Sequence, residues 1–137
     1  MKAYILKKHG NPQVLKMEEI PEPIPEKGEV RVKLKYIGLN YAEILSRKGL
    51  YGWAPEKPYT LGMEGFGIID AIGNEVSKFQ LGDKVIVGSQ YGSYAEKIVI
   101  PAQACHKIPD SVPMDVACLI GCSVTTGVGA VINQPSI

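Results

Sequence analysis

Apolar and polar residues alternate cleanly in EVRVKLKYIG, where Val30, Val32 and Leu34 fall on one side and Arg31, Lys33 and Lys35 on the other. A period of two marks a strand with one buried face. KAYIL and VLKMEEI are shorter strand candidates before it; GFGIIDAIG, DKVIVG and YAEKIVI follow, separated by Gly and Asp turn signals. PEPIPEKGE, just ahead of the clean strand, is a Pro-rich loop, because Pro cannot donate to a central ladder. The period becomes helical in NYAEILSRKG, where Tyr41, Ile44, Leu45 and Lys48 recur at helical spacing, Asn40 caps the start and Gly49 ends it. DSVPMDVACLIG opens a second helical region, with Asp110 and Ser111 in the cap region, Pro113 near the first turn and Asp115 beside the positive dipole end. The pattern predicts a mostly-β body, a barrel or sandwich, with a short helix after the third strand and helices at the C-terminus. No internal repeat or low-complexity tract interrupts it.

Composition changes this picture little. A chain of 137 residues can form one domain with a real core. Its 15 Gly and 10 Pro are dispersed among apolar runs and read as turns between strands rather than disorder. A net charge of +1 removes the electrostatic case for nucleic acid or an anionic membrane. Residues 116–137 carry no charge, but the strongest stretch, VACLIGCSVTTGVGAVI, is 17 residues long and contains Gly, Ser and Thr. A membrane span needs about 20 mostly apolar residues, so a buried or interface helix is predicted there. MKAYILKKHG lacks a small-residue cleavage site, which speaks against a secretory signal. Cys105, Cys118 and Cys122 form no CxxC pair, which points to reduced thiols and a cytoplasmic protein.

The familiar catalytic motifs GxSxG, HExxH, the P-loop and the EF-hand are missing. His9 and His106 have no acid or cysteine at ligand spacing and read as surface residues. GVGAVI begins like a dinucleotide fingerprint but lacks the third glycine and a preceding strand, so its glycines read as packing residues. Asn40, Glu64 and Cys122 remain as candidates. Glu64 sits in LGMEGFG, an acid among glycines. Each also has a structural reading: Asn40 as a helix cap, Glu64 as an acceptor for backbone amides that glycines admit, Cys122 as a small buried residue.

Together, IGLNYAEILSRKGLY, PYTLGMEGFGIIDAIGNEVSKFQLGDKV and GSYAEKIVIPAQACHKIPDSVPMDVACLIGCSVTTGVGAV resemble, in order, the N-terminal GroES-like catalytic domain of the medium-chain dehydrogenase/reductase family. The resemblance implies a GroES-like, partly open β-barrel. In the family's zinc alcohol dehydrogenases a cysteine stands at the position of Asn40, a histidine at that of Met63, and a third ligand matches Cys122. Asn is a poor zinc ligand and Met prefers softer metals. Ala42 occupies the place of the proton-relay hydroxyl, and the cysteine lobe for structural zinc is absent. The chain is therefore most similar to the zinc-free branch of quinone oxidoreductases and zeta-crystallin, with no metal site.

That branch implies hydride transfer from NADPH to a quinone or enone, a small-molecule substrate. Asn40 and Tyr51 would be catalytic, on the cleft wall, and Asn40, Tyr41 and Thr126 would contact the cofactor. Residues 1–125 would be the catalytic domain and 126–137 the start of a connection to a nucleotide-binding domain that lies outside this sequence. On this reading the chain alone binds no NADPH and is inactive. The alternatives are a non-enzymatic module that dimerises through residues 116–132, and a remnant of a zinc-type alcohol dehydrogenase.

Overall fold

In a computed structural model, which describes residues 1–88 and 91–133, the alternation of EVRVKLKYIG becomes strand β3 (Glu29–Ile37). Val30 and Val32 are fully buried, while Lys33 and Lys35 face solvent. Before β3 come β1 (Lys2–Leu6) and β2 (Lys16–Glu19); after it come α1 (Tyr41–Lys48), β4 (Tyr59–Thr60), β5 (Glu64–Ile72), β6 (Lys84–Gly88), β7 (Lys97–Pro101) and β8 (Cys105–Lys107). The C-terminal region holds α2 (Met114–Ala117), a π-helical turn (Ile120–Val124) and α3 (Thr125–Ile132).

Five strands form one antiparallel sheet in the order β7-β3-β5-β6-β8, and three form another in the order β2-β1-β4. The segment after Tyr91 ties them together. Tyr4 N–H donates to Tyr94 O at 2.8 Å, Glu96 N–H donates to Lys2 O at 3.0 Å, and Ala3 bridges to Ala95. The result is a curled, partly open barrel. Val30, Val32, Ile69, Phe79, Val85, Val87, Ile98, Ile100 and Cys105 fill its core. Burial pushes the Cys105 thiol up to about 12, as expected for an inert core cysteine.

Several boundaries differ from the sequence pattern. YAEKIVI is a strand only from Lys97, because Tyr94, Ala95 and Glu96 are engaged in joining the sheets. VLKMEEI is shortened by a 3-10 turn at Pro12–Val14. Strands β4 and β8, of 2 and 3 residues, are too short to show a period.

The Pro-rich loop is fastened to the outer sheet face by charge. Arg31 Nε donates to Asp70 Oδ1 at 2.7 Å and its Nη1 to Pro23 O at 3.1 Å. Lys97 Nζ contacts Glu22 at 2.6 Å and Asp70 at 3.0 Å. Burial works against ionisation of Asp70, yet hydrogen bonds from Arg31 and Lys97 hold its carboxyl below the usual range.

Helix α1 has the predicted ends: Asn40 precedes it, and Gly49 closes it with a left-handed φ of 78°. Its facing is the reverse of a usual amphipathic helix. Tyr41 and Ile44 are 68% and 40% exposed, while Glu43, Ser46 and Arg47 are buried. Each buried side chain has a polar partner. Glu43 Oε2 accepts from Asn40 N–H at 2.6 Å, Ser46 Oγ and Tyr91 OH share a hydrogen bond at 2.9 Å, and Arg47 Nη1 donates to Gly10 O.

The C-terminal helix expected to be buried or at an interface has no buried residue in α3. Val131 and Ile132 are 80% and 73% exposed. Among the described residues, no helix is long and apolar enough to cross a membrane.

Candidate active site

Glu64, the acid of LGMEGFG, opens β5 and is fully buried. Its carboxylate accepts four hydrogen bonds. Oε1 takes Asn40 Nδ2 at 2.9 Å and Ser123 Oγ at 2.7 Å. Oε2 takes the backbone N–H of Cys122 at 2.7 Å and of Ser123 at 3.2 Å. One side chain therefore ties the start of α1, the start of β5 and the π-helical turn together.

Glu64 accepts from backbone amides, as its structural reading expects. The amides that reach it belong to Cys122 and Ser123, not to the glycines beside it. Glycine matters at two other places. A Cβ on Gly38 would stand 2.3 Å from Glu64 Oε1, so only a bare Cα lets the carboxylate lie there. A Cβ on Gly121 would meet Val87 O at 2.4 Å and Gly88 Cα at 2.7 Å. That close approach seats the π turn against β6 and presents its amides to Glu64.

Asn40 caps α1, but its side chain does more than cap. Nδ2 goes to Glu64, and Oδ1 accepts from Ser123 Oγ at 2.8 Å. Glu43 shares the backbone N–H of Asn40, and its Oε1 has no hydrogen-bond partner among the described residues. Burial raises the Glu43 carboxyl above the usual range, against hydrogen bonds that favour its charge. Met63 is buried beside this junction. The Cys122 thiol is pushed up by burial and then by the Glu64 charge, with Thr126 hydrogen-bonded to it. A thiol held neutral is a weak nucleophile and metal ligand. Among the described residues, no group of three or more His, Cys, Asp or Glu side chains is placed to hold a metal.

The residues singled out in the sequence are gathered unevenly. Asn40 and Tyr41 line a shallow apolar groove of about 320 Å³ with Leu15, Leu39, Ile44 and Leu61. Thr126 joins the junction through Cys122. Tyr51 lies in the loop after α1 and meets the exposed Trp53 edge-on, with ring centroids 6.0 Å apart. Tyr51 is not among the residues that line the groove with Asn40. Sequence reasoning missed Ser123 and Glu43. Ser123 is 83 residues from Asn40 and 59 from Glu64, beyond any local signal. Glu43 lies three residues after the cap, where a capping-box acid belongs, and that signal was available.

A curled, partly open barrel with a capped helix after its third strand and a helical exit defines a GroES-like domain. Known proteins agree. A family model described as "Alcohol dehydrogenase GroES-like domain" matches residues 26–110. The chain belongs to this family and corresponds to the N-terminal part of medium-chain dehydrogenase/reductase proteins. It is 33% identical to a quinone oxidoreductase of Lama guanicoe over 136 residues, covering 98% of this chain and 41% of the relative. It is 32% identical to the human synaptic vesicle membrane protein VAT-1 homolog, covering 85% of this chain and 30% of that protein. The structure of Escherichia coli quinone oxidoreductase complexed with NADPH superposes with a TM-score of 0.90 at 28% identity, over 98% of this chain and 41% of that one. The chain thus spans about two-fifths of the length of its quinone oxidoreductase relatives.

Proposed function

We propose that the chain is the substrate-facing domain of a zinc-free, NADPH-dependent oxidoreductase that reduces a quinone or enone. The observation that carries this reading is Asn40. Its carboxamide is held in one orientation by a buried carboxylate and a hydroxyl. A donor fixed in this way can stabilise charge that develops on a carbonyl oxygen as hydride arrives. NADPH, when bound, supplies the hydride. The residues present fit the nicotinamide end of that cofactor: Asn40, the neighbouring Tyr41, and an exposed Thr126 on the same junction. Tyr51 would line the substrate side. The zinc-free reading is supported by the donor set, since the Asn40 amide is engaged with Glu64 and Met63 is packed in the interior. On this reading residues 1–125 are the catalytic domain and 126–137 begin the connection to a nucleotide domain; residues 134–137 lie outside those described. Three free cysteines accord with a cytoplasmic protein.

The test joins this chain to the nucleotide-binding portion of a quinone oxidoreductase and follows NADPH oxidation by 1,4-naphthoquinone. The fusion is expected to turn over, Asn40→Ala to lower kcat by about 10²-fold, and the chain alone to show no turnover. Full activity of the Asn40→Ala fusion would remove Asn40 from the chemistry.

Self-association is a second reading, favoured by the exposed Val128, Val131 and Ile132 on α3. A second copy covering residues 116–132 would remove that apolar surface from water. Light scattering over a concentration series is expected to show a dimer that Val131→Asp returns to monomer. A dimer indifferent to the substitution would place the contact elsewhere.

A further inference from the structure

Ser123 belongs to no motif, and neither the family match nor any relative assigns it a role. Its Oγ stands 2.8 Å from Asn40 Oδ1 and 2.7 Å from Glu64 Oε1, while Asn40 Nδ2 stands 2.9 Å from the same Glu64 oxygen. Three side chains from three separate segments thus close a ring around one carboxylate oxygen. The ring allows one orientation of the Asn40 carboxamide. Turned over, Oδ1 would face the Glu64 carboxylate, acceptor against acceptor. The torsion that turns a carboxamide is broad and weakly restrained on its own, so the partners at both ends set it.

We propose that Ser123 is a positioning residue for Asn40. It holds the carboxamide in the one orientation from which the amide group can meet the carbonyl oxygen of an electron-poor acceptor. This rests on the reading of Asn40 given above. The hydroxyl proton is shared between Asn40 Oδ1 and Glu64 Oε1. A donor on Oδ1 and a carboxylate on one N–H both fix the amide plane, and a chain of bonds polarises the group it contains. A donor that is already aimed needs no reorganisation when charge appears in front of it.

The Asn40 side-chain amide can be observed directly in the ¹⁵N-labelled chain by NMR, assigned by its disappearance in Asn40→Asp. In the wild type its two hydrogens are expected to be widely separated in shift, with the one bound to Glu64 slow to exchange with water. Ser123→Ala is expected to narrow that separation and speed the exchange at least tenfold, with the backbone spectrum otherwise kept. Ser123→Thr restores the hydroxyl and the wild-type signals. Thr125→Ala removes a neighbouring hydroxyl that bonds Cys122 O at 3.1 Å, and should leave the Asn40 amide unchanged. An unaltered Asn40 amide in Ser123→Ala would overturn the proposal. A spectrum that loses its dispersion in that variant would also overturn it, since the residue would then support the fold rather than Asn40. Failure of the fusion to transfer hydride, with these NMR effects intact, would sink the proposed function and leave the positioning of Asn40 standing.

Discussion

Glu64→Ala is expected to lower the stability of the chain by about 3–5 kcal/mol, among the largest effects of a single substitution. The side chain is fully buried and accepts from Asn40 Nδ2, Ser123 Oγ and the amides of Cys122 and Ser123. Hydrogen bonds to a charged group contribute about 1.5–3 kcal/mol each, so four would exceed the expected loss. The difference is desolvation: removing the carboxylate also ends the cost of keeping a charge away from water. What remains is a set of donors without an acceptor and a gap at the start of β5. Glu64→Gln should cost less, about 1–2 kcal/mol, because its amide oxygen can still face Cys122 and Ser123. Its NH₂ would then oppose Asn40 Nδ2, and the Asn40 carboxamide should turn over to meet it. Urea unfolding followed by circular dichroism gives both numbers. A loss below about 1 kcal/mol for Glu64→Ala would show that water re-pairs the freed donors and that the junction is not a structural keystone.

Gly121→Ala is expected to cost about 2–3 kcal/mol, the cost of overpacking where neither neighbour can yield. Its Cβ would meet backbone atoms on the facing strand, Val87 O and Gly88 Cα. Backbone cannot rotate out of the way as a side chain would. The π-helical turn must lift from β6, and the Cys122 amide leaves Glu64 with it. Gly127 provides the contrast, because a Cβ there meets nothing within 4 Å and the residue lies inside α3. Gly127→Ala should stabilise by about 0.5–1 kcal/mol through helix propensity. Thermal melts of the pair should move in opposite directions. A Gly121→Ala protein as stable as the wild type would mean that the turn and the strand separate freely.

The sequence makes some levels of this structure legible and hides others. The alternation around Val30 and Val32 predicts β3 because one face meets the core and the other does not. Asn40 and Gly49 predict both ends of α1, since caps are local chemistry. The facing of that helix is not local. Burial of Glu43, Ser46 and Arg47 depends on partners such as Tyr91, 45 residues away, and Gly10, 37 away. Propensity and period then point the wrong way, because polar satisfaction outweighs the apolar stripe of Tyr41 and Ile44. The site divides similarly. Asn40 and Glu64 stand out by their place in a family pattern, but the bond between them spans 24 residues and Ser123 has no signal at all. The π turn is equally silent, since it arises from the seating of Gly121 on β6.

Trp53 is the chain's single tryptophan and is 86% exposed, held edge-on by Tyr51. The molecule therefore carries one indole, outside the barrel, on the loop that follows α1. At 86% exposure its emission is expected to be close to that of an indole in water, and unfolding of the core to change it little. Anything that settles on the loop, by contrast, removes water from the only indole present. The barrel is nearly dark to this probe, and the loop after α1 is lit.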